Sequence, residues 1–262
     1  MENPHNRIVN ILIEQGYKKL KQPYEKINFT KYVEEEQPYE KINFTEDEKE
    51  ANDLLNNLKE FPHAFVLGCI MDRRIKSGKA WIIPYKISQE IGDFSISKLL
   101  QNKNKIKKIF ENKNLHRYNS VMAKNFYRAI QQISKVYHDD ASRIWEDTPR
   151  SGMVVRRFLR FEGVGFKIAS MATNILARDF KISMKDLNCI DVSPDIQVKK
   201  AFKRLELVPK NSKIEELMYC ARELNPEYPG VLDYGCWKIG KNCNKPEDSK
   251  CKQCYLHCRL FA

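Results

Sequence analysis

The sequence predicts an all-α chain. Three observations carry that expectation. Apolar residues recur at helical spacing from about Glu46 onwards. Period-two alternation is scarce. The Asn-Gly and Asp-Gly pairs that mark tight β-hairpins are absent.

The segments follow in order. Before the helical patterns stands a repeat: Gln22–Thr30 reads QPYEKINFT, and Gln37–Thr45 reads the same, 15 residues later. Two copies are too few to stack into a solenoid. The duplicated stretch therefore reads as an acidic, loosely structured surface segment. Ala51–Leu58 carries the first helical spacing of apolar residues. Ala64–Met71 is an apolar run of helix or strand type, and it leads into Asp72-Arg73-Arg74. Helical patterns continue over Ile96–Phe110, Val121–Tyr137, Gly152–Phe161, Lys167–Leu176, Ile196–Leu205 and Ile214–Leu224, and a Cys-rich tail follows.

With 262 residues, 42% of them hydrophobic, and only 10 Gly and 11 Pro, the composition is globular. Collagen-like and wholly disordered classes are excluded. No apolar run reaches the length of a membrane span, and Met1 is followed by Glu, Asn, Pro and His rather than by a secretory signal. The expectation is a soluble intracellular monomer with no membrane partner, cytoplasmic or nucleoid-associated.

Charge points to a polyanionic partner. Lys and Arg total 46 against 34 Asp and Glu, for a net +12. Residues 31–60 hold ten acids against four lysines, so the positive charge is concentrated after residue 60. Nucleic acid is the commonest partner of such a surface. Charge alone does not separate DNA from RNA or anionic lipid.

The cysteines point to a metal. Five of the eight fall in the last 27 residues, spaced Cys236-x6-Cys243-x7-Cys251-x2-Cys254-x3-Cys258. Without a secretion signal, clustered ligation explains them better than disulfides. Four thiolates suit a [4Fe–4S] cluster or a tetrahedral zinc. Cys243, Cys251, Cys254 and Cys258 enclose one compact loop and are the expected ligands, with Cys236 in reserve. Cys69, Cys189 and Cys220 read as core.

The most informative segment is Phe158–Leu176, FLRFEGVGFKIASMATNIL. Phe158, Leu159 and Phe161 close one helix, Gly163-Val164-Gly165 makes a tight turn, and a second helix starts near Phe166. The first N–H groups of that helix lack intrahelical acceptors, and glycines let a phosphate approach them. This is a helix-hairpin-helix that grips the DNA backbone without reading sequence.

GVGFKIA, then Asp195 in Ser193-Pro194-Asp195-Ile196-Gln197-Val198, then the Cys-rich tail, resembles the endonuclease III-like branch of the helix-hairpin-helix DNA glycosylase superfamily. FVLGCIMDRR and the segment from Arg117-Tyr118-Asn119-Ser120 to Ile130 resemble the same group. The likeness spans roughly residues 62–262. Phe161-Glu162 stands where the group has Leu-Pro, and Pro194-Asp195-Ile196-Gln197 where it has Val-Asp-Thr-His. A basic stretch, Arg178–Lys185, lengthens the span before the Asp.

The resemblance implies a two-lobed fold. Residues 62–187 would form a six-helix barrel lobe with the hairpin. Residues 188–262 would form a helical lobe with the cluster loop, joined by the N-terminal segment 1–61. It implies base excision from double-stranded DNA that contains a lesion or abasic site, with strand cleavage by AP lyase chemistry. Lys167 would be the nucleophile and Asp195 the acidic partner, Asp191 being a second candidate carboxylate. The hairpin residues Gly163, Val164 and Gly165 would hold phosphate, and Arg73 or Arg74 would fill the gap left by a flipped base. Trp81, Tyr85 and Tyr118 are candidates for stacking on a base, or core and rim. The cofactor implied is an iron–sulfur cluster on the four cysteines. A glycosylase without lyase activity, and a DNA-binding module without catalysis, are the alternatives the residues leave open.

Overall fold

The protein is described here by a computed structural model covering residues 4–20, 41–45 and 48–242. Every regular element among the described residues is a helix. They are α1 (Pro4–Leu20), α2 (Lys49–Asn56), α3 (Pro62–Met71), α4 (Ser77–Trp81), α5 (Ile83–Ile91), α6 (Ile96–Gln101), α7 (Lys103–Asn112) and α8 (Asn119–Tyr137). A 3-10 turn, Ala141–Ile144, precedes α9 (Ser151–Leu159), α10 (Phe166–Arg178), α11 (Ile196–Arg204), α12 (Ile214–Leu224) and α13 (Val231–Asn242). The all-α expectation holds. None of these helices is long and apolar enough to cross a membrane.

The chain divides into two compact units. The central unit comprises Tyr39–Pro149 and Met153–Ala172; the terminal unit comprises Met1–Pro38, Arg150–Gly152 and Thr173–Ala262.

In the central unit, α3 is buried along its whole length, from Pro62 to Met71. A helix apolar on every side must sit inside others, and α2, α4, α5, α8 and the 3-10 turn all pack on it. That settles the Ala64–Met71 run as helix. Pro62 starts it where a missing N–H costs nothing. The helical pattern over Ile96–Phe110 resolves into two helices instead of one. The break falls at Asn102 (φ −106°, ψ 27°), whose Nδ2 donates to the Lys98 carbonyl at 2.8 Å. Asn competes in this way for backbone groups and stops helices.

The described part of the second repeat copy, residues 41–45, corrects the loose-segment expectation. Phe44 is buried and stacks on Trp81, ring centroids 4.4 Å apart. The Ile42 N–H donates to Asn56 Oδ1 at 2.9 Å, and Asn56 Nδ2 returns to the Ile42 carbonyl at 2.9 Å. Phe44 packed on Trp81 and the Ile42 backbone paired with the buried Asn56 hold this strip on α2 and α4. The first copy lies outside the described residues.

In the terminal unit, α13 packs against α1 and α11. Glycines permit that approach. A Cβ on Gly240 would come within 2.5 Å of the Gln197 carbonyl carbon, and one on Gly235 within 2.7 Å of Leu12 Cδ2. Leu12, Val198, Phe202, Leu232 and Cys236 are among the residues of the core so formed. The charges of the Arg178–Lys185 stretch are partly interior. Arg178 donates from Nε and Nη2 to Asp179 Oδ2, at 3.1 and 2.6 Å, and Lys181 Nζ donates to the Arg178 carbonyl at 2.7 Å. Buried charges persist only when paired in this way.

Candidate active site

The hairpin is built as its sequence requires at Gly163. Its φ is +83°, and a Cβ there would overlap Asn125 Nδ2 of α8. The Val164 N–H donates to the Phe161 carbonyl at 3.1 Å and closes the turn. Phe161 is buried, its ring parallel to Tyr137 at 6.2 Å between centroids. Glu162, in place of the proline of the related motif, forms an ion pair with Arg128 of α8. Gly165 differs from Gly163. It is exposed, its φ is not positive, and nothing lies within 4 Å of the place a Cβ would take. Its carbonyl accepts from the Ile168 and Ala169 N–H groups, each at 3.1 Å, and so begins α10.

Lys167 stands on the first turn of that helix. Its Nζ donates to Asp72 Oδ2 at 3.3 Å. The Lys167 side chain is 36% exposed and that of Asp72 only 10%. One end of the pair therefore reaches solvent while the other is held inside. Asp72 follows the last residue of α3, its N–H bonded to the Cys69 carbonyl at 3.1 Å. The sequence shows Asp72 only as the first of three charges after an apolar run; its pairing across 95 residues of chain has no local signal.

Arg73 and Arg74 are both exposed. Arg73 Nη1 lies 3.6 Å from the place a Cβ would take on Gly163, so this predicted residue and the hairpin meet. Arg74 adopts a left-handed φ of +56°. Its guanidinium binds the Tyr118 hydroxyl. That bond first, then the charges of Arg117 and Arg73, pulls the phenol below its ordinary range. Tyr118 is 37% exposed, with the Arg117 guanidinium 5.6 Å from its ring centre. An exposed aromatic ringed by guanidinium groups suits stacking on a base beside phosphates. Of the other two aromatic candidates, Trp81 is core, packed on Phe44 and Phe65. Tyr85 is half-buried, its hydroxyl accepting from Gln89 Nε2 at 2.8 Å. His116 completes the patch: its Nδ1 accepts the Tyr118 N–H at 3.0 Å, and burial keeps it neutral.

The two candidate carboxylates of the terminal unit are differently engaged. Asp195 caps α11, its Oδ1 accepting from the Gln197 and Val198 N–H groups at 2.8 Å each. Asp191 is buried and gripped by Arg222, Nε to Oδ1 at 2.7 Å and Nη2 to Oδ2 at 2.8 Å. A bidentate guanidinium occupies both its oxygens, so Asp191 acts as an anchor between the loop and α12. Ile196, beside Asp195, is exposed, an apolar residue that the sequence pattern assigns to a helix face.

Cys243, Cys251, Cys254 and Cys258 lie outside the described residues. Among the described residues no group of three or more His, Cys, Asp and Glu side chains is arranged to hold a metal. Cys236 is buried in the core of the terminal unit, and desolvation pushes its thiol up. Cys69 is core as expected. Cys189 is not: it is exposed in a loop, its N–H donating to Ser151 Oγ at 3.2 Å.

The helical arrangement has a counterpart among solved structures. A trapped covalent intermediate of endonuclease III with DNA, an estranged-adenine complex, matches with a TM-score of 0.53 over 79% of this chain and 92% of that one. The fold is that of endonuclease III. No protein-family model and no curated protein matches. Identity to the endonuclease III chain is 13%, so the likeness lies in the course of the helices. The roles of residues on this endonuclease III-like fold have to be argued from their own surroundings.

Proposed function

We propose that this protein excises a base from double-stranded DNA and cuts the strand at the abasic site, with Lys167 as nucleophile. The observation that carries the reading is the position of Lys167. Its amine stands one turn inside the exposed mouth of the hairpin, tied to Asp72 at 3.3 Å. A hairpin that binds backbone phosphate brings the neighbouring sugar to that amine. The solved endonuclease III counterpart is a covalent DNA intermediate, which supports the same class of chemistry for this chain.

The residues divide the work as follows. The first N–H groups of α10 and the open face of Gly165 take a phosphate. Arg73, Arg74 and Arg117 add positive charge around Tyr118, which stacks against a base. One of the two exposed arginines after α3 fills the gap left by the flipped nucleotide. Lys167 forms a bond to the sugar C1′ as the base leaves. The sugar ring opens to a Schiff base, and β-elimination then breaks the bond to the 3′-phosphate. Asp195 is the acidic partner that stabilises positive charge on the sugar. Cys243, Cys251, Cys254 and Cys258 would hold a [4Fe–4S] cluster. Four thiolates fit that group, with Cys236, buried in the core of the terminal unit, as the reserve. The cluster would fold a loop carrying Lys250, Lys252 and Arg259 against phosphate.

The test is borohydride trapping on duplex DNA with one abasic site, wild type beside Lys167→Ala. A covalent adduct with wild type alone supports the reading. Binding without an adduct from wild type would leave a glycosylase lacking lyase activity, or a DNA-binding module.

A further inference from the structure

We propose that Asp72 is the counter-ion of the Schiff base formed on Lys167 and keeps it in the protonated, iminium form. This rests on Lys167 being the nucleophile. Asp72 is no surface acid met by chance. It follows a helix buried on every residue, its own N–H is fixed to the Cys69 carbonyl at 3.1 Å, and its side chain is 10% exposed. The fold thus delivers an oriented, poorly hydrated anion to one atom, Nζ of Lys167, at 3.3 Å. Among the described residues it is the one carboxylate within ion-pair distance of that amine.

The chemistry needs an anion there once the Schiff base has formed. At an abasic site Lys167 gives up one proton, its free amine adds to the aldehyde of the ring-opened sugar, and the proton returns to the departing oxygen, so the ammonium and the aldehyde become an iminium and one water. The C–N bond forms, the carbonyl oxygen leaves as that water, and the nitrogen carries one positive charge before and after. In β-elimination a base takes the C2′ proton. The C–H electron pair flows into the C1′–C2′ bond and towards nitrogen, then returns to expel the 3′-phosphate. Only the protonated nitrogen is a strong electron sink. A carboxylate in contact with the nitrogen favours its charged form, and low exposure keeps that attraction from being screened.

The other charged and titratable groups nearby do not compete for this role. Arg73 is a cation, over Gly163. The Cys69 thiol is raised by burial and then by Asp72 itself, so it stays neutral. His116, under the carbonyls of Met71 and Arg73, is kept neutral by burial. Glu162, beside the hairpin, is bound to Arg128.

The experiment follows borohydride trapping on abasic duplex as a function of pH for wild type, Asp72→Asn and Asp72→Glu. Without the counter-ion the imine loses its proton at lower pH. The alkaline limit of trapping in Asp72→Asn should fall by about one pH unit or more, with about a tenfold smaller adduct yield above it, since one unit is a tenfold change in protonation. Asp72→Glu should restore most of the wild-type profile. Asp72→Ser serves where Asp72→Asn does not fold, with the same shift expected. Affinity for a duplex with a tetrahydrofuran abasic analogue should not fall, since the Asn and Ser variants remove a negative charge from a surface that meets phosphate. A wild-type profile in the folded Asn or Ser variant overturns the counter-ion role and leaves Lys167 as nucleophile. Equal loss at every pH overturns it too, because it would mean that Asp72 only places the amine. No adduct from wild type removes both proposals together.

Discussion

The carboxamide of Asn125 occupies the space that a side chain on Gly163 would need. The turn of the hairpin is therefore closed from outside as well as bent from within. Gly163→Ala meets two penalties, a left-handed φ and an overlap with α8, and should lower stability by about 1–3 kcal/mol. Gly165→Ala meets neither. It should leave the melting temperature within the range of a neutral surface change, about 0.5 kcal/mol, yet weaken DNA binding, because the new methyl faces the open side. Melting curves beside titrations with fluorescent duplex check both. Unaltered binding by Gly165→Ala would remove the hairpin from the phosphate contact.

Asp195 offers a clean separation of cap from chemistry. Its Oδ1 accepts two N–H bonds at the start of α11. Asn caps about as well as Asp, whereas Ala forfeits about 1 kcal/mol. Asp195→Asn should therefore melt like wild type and lose excision, while Asp195→Ala should lose both. If Asp195→Asn excises bases at the wild-type rate, the cap is its whole role.

Much of this was legible in the sequence, and the limits have physical causes. Glycine chemistry made the hairpin visible, because Gly163 is required by local backbone geometry. Helical periodicity located α2, α8 and α9–α12 to within a few residues, whereas the uniformly apolar run that forms α3 left helix and strand open. It did not find the break at Asn102, where a polar side chain interrupts an unbroken apolar pattern. Nor did it announce Asp72 as a partner of Lys167 or the Arg222 clamp on Asp191. Those contacts span 95 and 31 residues, and pairing at such range is decided by packing. The docking of Phe44 was hidden for another reason: an acidic, duplicated stretch reads as surface until its phenylalanine finds Trp81.

Two buried histidines of the central unit make an acid-side prediction. His63, bonded to the Phe94 carbonyl at 2.6 Å, and His116 both titrate below the ordinary histidine range, with burial the leading cause. The unfolded chain then binds protons near pH 6.5 that the folded chain refuses. Stability is fully present above that value and falls as pH drops through it. Each histidine contributes a slope of up to about 1.4 kcal/mol per pH unit. Urea titrations at pH 7.5 and 5.5 should show a lower midpoint at the acid value. The drop should shrink in His63→Asn. A midpoint independent of pH would mean that neither ring is held neutral.

Thiol reactivity tests the cysteine assignments in one experiment. Cys189 is exposed, Cys220 half-buried, and Cys69 and Cys236 are enclosed with thiols raised by burial. Alkylation of the folded protein should mark Cys189 first and spare Cys69 and Cys236, since the thiolate is the reacting form. The four tail cysteines should be protected only while a cluster is bound and should react once a chelator removes iron. Cys236→Ser should keep its iron, and Cys254→Ser should lose it together with the protection of Cys243, Cys251 and Cys258. Iron retained by Cys258→Ser but lost by Cys236→Ser would move the ligand set one cysteine upstream and make the buried Cys236 a ligand.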